Sequence, residues 1–270
     1  MTFLKKDSMK RCLMYRKKVL DMSQKVSALH GAGAFSATEI IDLAYFGLMR
    51  KDKSGKFIDT FLMSKGHSCI IQYIILESLK ILSNKDLELY CKPEGQLGCH
   101  PDYGVPGIEA STGSLGHGMG LAVGMHQADI IQKKDKKIYV ILSDGELQEG
   151  STWENMMMGA NLNAKNIVAL LDHNGSQSFG HTKETHPKFY PIKEKVKSFG
   201  WECEEANGHN VEEMYTKVQN RSHEKPFMLI CNTVKGKGVS FMEHKPIWHY
   251  RSPNKDEYKI AIKELKEIKE

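Results

Sequence analysis

Residues 138–154 read IYVILSDGELQEGSTWE. An apolar, partly β-branched run from Ile138 to Leu142 stops abruptly on Ser143-Asp144-Gly145. A continuous run of this length marks a strand covered on both faces, as in a parallel sheet flanked by helices. IVALL at 167–171 and FMLIC at 227–231 have the same character, and segments of helical spacing separate the three. FLMSKGH at 61–67 reads as a short strand entering a turn, followed by a helix in SCIIQYIILESLK. The expected fold is α/β, a mostly parallel central sheet with helices on both faces.

Outward from that core, residues 8–27 have helical spacing, with Met9, Cys12, Leu13, Val19 and Leu20 among bases. Ser36 followed three residues later by Glu39 predicts a capping box opening the helix IIDLAYFGLM. Tyr258, Ile262, Leu265 and Ile268 predict a charged helix at the end of the chain. No repeat, low-complexity tract or linker divides the sequence, so residues 1–270 are expected to form a single domain. Hydrophobic residues make up 40% of the chain, with no run approaching the ~18–20 apolar residues of a membrane span. The first twenty residues lack the apolar core of a signal peptide. Cysteines 12, 69, 91, 99, 203 and 231 show neither a CxxC pair nor zinc spacing, which predicts reduced thiols in a cytoplasmic protein. A net charge of +5 is too diffuse to argue for nucleic acid.

Ligands of open parallel sheets bind beyond the carboxyl ends of the strands. Asp144 and Asn174 both fall there, each just past an apolar run, in ILSDG and LLDHNG. Two oxygen ligands on neighbouring strand ends suit Mg²⁺, which completes its shell with phosphate and water. The backbone carbonyl of Ser176 offers a third oxygen. Each of these dipeptides, Asp144-Gly145 and Asn174-Gly175, also reads as an ordinary turn. A second phosphate-binding element is EASTGSLGHGMGLAVGM, residues 109–125, whose glycines lead into a small-residue helix able to face an anion with its N–H groups. Its spacing fits neither the dinucleotide fingerprint nor the P-loop.

Taken together, HGAGAFSATEI, MSKGHS, GCHPDYGVPGIEASTGSLGHGMG, SDGELQEGSTWE, LLDHNGSQSFG and TVKGKGVSFME with its following WH resemble the N-terminal, thiamine diphosphate-binding half of transketolase, in the family's order from about residue 10 to 255. The resemblance implies a thiamine diphosphate pyrophosphate-binding fold with Mg²⁺, or Ca²⁺ in its place, held by Asp144, Asn174 and the Ser176 carbonyl. Gly145 would let the backbone approach the diphosphate. Gly113, Ser114 and Leu115 match the stretch that contacts the cofactor, Leu115 supporting its bent shape. His67 and Lys235 match contacts on the diphosphate side, where charge in excess of one Mg²⁺ needs donors. Glu149 resembles an acidic residue that links active sites across the dimer. His30, His100 and His249 match positions lining the reaction centre, and imidazole suits proton transfer near neutrality. For His181, His186, His209, His223 and His244 a surface or packing role is the expectation.

The implied reaction moves a two-carbon glycolaldehyde unit from a ketose, phosphorylated or not, to an aldose acceptor, with carbanion chemistry supplied by the cofactor. In the family, a glutamate that activates the aminopyrimidine ring lies in the following domain, and the polypeptide stops where that domain would begin. The expectation is one subunit of a split enzyme, completed by a separate C-terminal subunit carrying the pyrimidine-binding domain, as a dimer of heterodimers. Ser143 stands for the first glycine of the usual GDG, His117 for a glutamine, and HGAGAF for HPGxxL. Tyr250-Arg251 follows His249 where many relatives have glycine and lysine. Tyr250 adds bulk at the mouth, and Arg251 is expected to pair with a substrate phosphate. Other readings are another thiamine-dependent activity, a cofactor-binding scaffold, or a Mg²⁺-dependent phosphohydrolase.

Overall fold

The computed structural model describes residues 5–178 and 180–268. Residues 1–4, 269 and 270 of the expected domain, and Phe179 of the SQSFG stretch, lie outside the described residues. Helices α1 (Lys5–Ser23) and α2 (Gly31–Leu43) precede β1 (Thr60–Met63), and α3 (Cys69–Ser78) and α4 (Asn84–Glu88) follow it. Then come α5 (Gly118–Ile131), β2 (Ile138–Ser143), α6 (Gly150–Asn161) and β3 (Ile167–His173). A small hairpin, β4 (Ser176–Gln177) and β5 (Gly180–His181), leads through α7 (Thr182–Thr185) and α8 (Ile192–Ser198) to β6 (Glu202–Asn207). Helix α9 (Val211–Gln219), β7 (Phe227–Asn232) and α10 (Lys255–Glu267) complete the order.

Five strands form one parallel sheet in the order β1-β2-β3-β7-β6. The three apolar runs are its inner strands, and their alternate side chains enter two separate cores. Tyr139, Ile141, Val168, Leu170, Phe227 and Leu229 pack with α1, α2, α3 and α9 on one face. Ile138, Val140, Leu142, Ile167, Ala169 and Leu171 pack with Met119, Met156 and Val196 of α5, α6 and α8 on the other. Each buried Leu, Ile or Val contributes about 1.5–3 kcal/mol. A one-residue slip would exchange the two cores, so packing pins the register. That register sets Ser143 beside Asp172, and Asp172 beside Cys231, at the carboxyl edge.

Two expectations need correction. Ser36 caps no helix: α2 begins at Gly31, with His30 at its N-cap, and Ser36 lies buried inside it. Its hydroxyl donates to Asp172 Oδ2 at 2.7 Å, while Glu39 pairs with Arg16 at 2.6 Å, so neither side chain is free to cap. The first helix spans 5–23 instead of 8–27. Strand β6, ECEEAN, has no counterpart among the expected strands: only Cys203 and Ala206 are buried on this edge strand, which leaves no apolar run to read. Among the described residues, no helix is long and apolar enough to cross a membrane.

Candidate active site

Loops from the carboxyl ends of β1, β2, β3 and β7 converge on one cleft of about 140 Å³. His30, Lys65, His67, Gly113, Leu115, Gly145, Asn174, Ser176, Lys235 and His249 all line it. Close backbone contact makes the floor. A Cβ on Gly66 would lie 2.8 Å from the Gly113 nitrogen, so these two loops touch main chain to main chain. Gly113 has φ +134°, and a Cβ there would lie 2.5 Å from the His100 ring. Only glycine fits that conformation comfortably. Glu146, buried behind this floor, accepts from the Gly116 amide at 3.0 Å and from the Ser64 hydroxyl, fastening the glycine loop to the turn after β1. Burial raises its carboxyl to about 7 against the pull of those donors.

Asp144 is fully buried at the end of β2. Its Oδ2 accepts the amides of Asn174 and Gly175, both at 2.8 Å, and its Oδ1 meets His173 Nδ1. The amide oxygen of Asn174 accepts from the Ser176 nitrogen at 3.1 Å. Three expected metal ligands are thus gathered at adjoining strand ends. Among the described residues, no three His, Cys, Asp or Glu side chains gather as a metal site.

Two lysines supply the positive charge. Lys65 is buried and pairs with Asp172, which also accepts from Ser36 at 2.7 Å and from Thr233. Burial would raise the Asp172 carboxyl, but Lys65 and these hydroxyls hold it below the ordinary range. Lys235 lies 2.9 Å from His249 Nδ1, and burial with Lys65 nearby lowers its ammonium to about 8. The imidazoles feel the same environment. Burial, followed by the neighbouring histidine and lysine charges, lowers His30 to about 4 and His249 to about 3. Burial and Lys65 likewise lower His67. These three rings are therefore neutral near pH 7. They pack together, with the His30 centroid 5.3 Å from His67, 5.2 Å from His249 and 6.3 Å from His100.

Not every expected residue reaches the cleft. Ser114 faces a separate groove of about 870 Å³ along α5. Glu149 is exposed at the N-cap of α6. Arg251 lies over the Trp248 ring at 4.1 Å and pairs with Glu257 at 2.6 Å, turned toward α10. Tyr250 instead turns toward the histidine cluster, with its ring centroid 4.4 Å from that of His30. Sequence reading passes over Lys65, Glu146, Asp172 and His173, although all four stand inside the motifs above. His209 packs as expected, between Glu39 at 3.0 Å and the Val234 amide at 2.9 Å.

Comparison with known proteins agrees with this geometry. An apulose-4-phosphate transketolase subunit of Phocaeicola vulgatus is 36% identical over 258 residues, covering 93% of this chain and 91% of that protein. The 6-deoxy-6-sulfo-D-fructose transketolase subunit SqwG of a Clostridium species is 34% identical, covering 93% of each. Among solved structures, transketolase from Campylobacter jejuni matches with a TM-score of 0.89 at 24% identity, over 98% of this chain and 43% of that one. At that identity the likeness speaks for the fold alone. The model of the transketolase thiamine diphosphate-binding domain matches residues 9–265, and this chain belongs to that family.

Proposed function

We propose that this chain is the cofactor-binding subunit of a split transketolase, moving a glycolaldehyde unit between sugars once a separate pyrimidine-binding chain is docked. The carrying observation is the cleft itself: two lysines, a buried carboxylate at its edge and three neutral imidazoles around one small space. A phosphohydrolase reading explains the carboxylate but leaves the histidine cluster without work.

The residues fit the cofactor. Asp144, the Asn174 amide oxygen and the Ser176 carbonyl offer the oxygen set that Mg²⁺ takes, with phosphate and water completing it. Lys235 and His67 face the space left for a diphosphate, and the Ser68 hydroxyl, buried beside Gly33, has no hydrogen-bond partner among the described residues. When bound, thiamine diphosphate supplies the carbon nucleophile for breaking and making the sugar C–C bond. This chain's own residues bind, orient and move protons. An ammonium only donates, so Lys235 leaves the His249 proton on Nε2, free to donate to a sugar oxygen. Neutral His30 takes or returns a hydroxyl proton, with the His100 ring centroid 6.3 Å away.

Support for a separate partner comes from relatives named as subunits, which this chain matches nearly end to end. By contrast, it covers 38% of human transketolase. The α5 groove, lined by Ser114, Gly120, Leu121, Gly124, Met125 and Ala128, continues from the cofactor stretch and offers an apolar seat for that chain. Two copies of each chain would make the assembly, with Glu149 near the junction. The free thiols suit a reducing cytoplasm. Isolation from native lysate tests the proposal. A stoichiometric partner similar to the remainder of transketolase is expected, and its absence from a lysate expressing both chains would overturn it.

A further inference from the structure

We infer that His173 is a positioning residue for Asp144, its Nδ1–H fixing which lone pair the carboxylate turns toward a divalent cation. The inference rests on Asp144 being a metal ligand, as proposed above. Both lone pairs of Asp144 Oδ2 are engaged, by the Asn174 and Gly175 amides at 2.8 Å each. Only Oδ1 retains capacity, and His173 Nδ1 occupies one of its two lone pairs. A carboxylate accepts only, so Nδ1 carries the hydrogen. One lone pair remains, in a direction set by the imidazole.

The ring is itself held in place. His173 ends β3, its register fixed opposite Asn232 of β7 and its carbonyl accepting from the Thr233 amide at 2.9 Å. Tyr190 flanks the ring at 5.8 Å, and its hydroxyl is tied to Thr182 at 2.5 Å. A merely structural task would be redundant. The β2–β3 ladder and the two amide bonds to Oδ2 already join these strand ends. What His173 adds is control of the one oxygen those bonds leave open. Outer-shell partners of this kind typically change metal affinity by about 10–100-fold.

The test is Mn²⁺ binding to the full-length chain with thiamine diphosphate present, followed by electron paramagnetic resonance of free Mn²⁺. Melting temperatures are recorded without metal. Asp144→Asn is expected to abolish tight binding. His173→Phe keeps a ring against Tyr190 and is expected to weaken binding by about 10–100-fold. His173→Asn, whose amide N–H replaces Nδ1–H, is expected to recover most of it. Wild-type affinity in His173→Phe, with loss in Asp144→Asn, would overturn the role of His173 alone. A His173→Asn variant as weak as His173→Phe would also overturn it, by showing that packing and not donation matters. No Mn²⁺ uptake by wild type, or unchanged uptake in Asp144→Asn, would overturn the metal-ligand reading and the inference with it.

Discussion

Lys235 Nζ stands 2.9 Å from Nδ1 of His249, an ammonium and an imidazole sharing one proton-bearing contact in a buried cleft. The contact joins the charge that would hold a diphosphate to a ring that would serve the sugar. Because burial and Lys65 bring Lys235 down to about 8, its charge is lost within reach of ordinary buffers. An anion stabilises the charged form. Cofactor affinity is thus full below about pH 8 and falls above it, approaching about tenfold per pH unit for a single linked proton. Calorimetric titration of thiamine diphosphate with Mg²⁺ checks this. Lys235→Met is expected to bind about 10–100-fold more weakly and to lose that pH dependence.

Acid stability has the opposite direction. His30 and His249 are lowered to about 4 and about 3 in the folded chain, against about 6.5 for an unperturbed imidazole. Between these values the unfolded chain binds protons that the folded chain refuses. These two residues therefore make stability fall as pH drops from about 6.5 toward 3. Urea midpoints across that interval measure it, and the double substitution His30→Asn with His249→Asn is expected to flatten the decline.

Two glycines separate folding from cofactor approach. Gly113→Ala places a Cβ into the His100 ring at φ +134°, and is expected to cost about 1–3 kcal/mol in stability along with cofactor binding. Gly145 has φ −63°, and an added Cβ meets only Gln177, at 3.9 Å. Gly145→Ala is expected to keep the wild-type melting temperature while weakening thiamine diphosphate binding. Thermal melts with and without cofactor read both effects.

The Lys65–Asp172 pair is enclosed on all sides. Asp172→Ala strands the Lys65 charge and is expected to destabilise the fold by about 3–5 kcal/mol. Replacing both, as Lys65→Met with Asp172→Leu, is expected to recover much of that loss in urea denaturation. Cofactor affinity is expected to stay low in the double variant, since a cation beside the diphosphate space is gone.

Legibility in the sequence followed burial. Strands β2, β3 and β7 are covered on both faces, so their residues are apolar without interruption and Asp144 and Asn174 stand out at their ends. Strand β6 lies at the sheet edge and alternates with charge, which hides it. Lys65 and Asp172 were opaque for a different reason: a buried ion pair spans 107 positions, and nothing local marks either charge as buried. The same holds for Ser36, whose capping pattern with Glu39 is satisfied locally in sequence but overridden by Asp172 and Arg16. Arg251, expected at the sugar phosphate, is drawn to Glu257 six residues further along.

Transfer of a glycolaldehyde unit from a ketose phosphate to an aldose is the most direct measurement, made on the purified chain and on the complex recovered with its partner, each with thiamine diphosphate and Mg²⁺. Turnover in the complex and none in the lone chain is the expected result. Turnover by the lone chain, or an inactive complex that has bound its cofactor and is supplied with a panel of phosphorylated and non-phosphorylated ketoses, would contradict the division of one active site between two polypeptides.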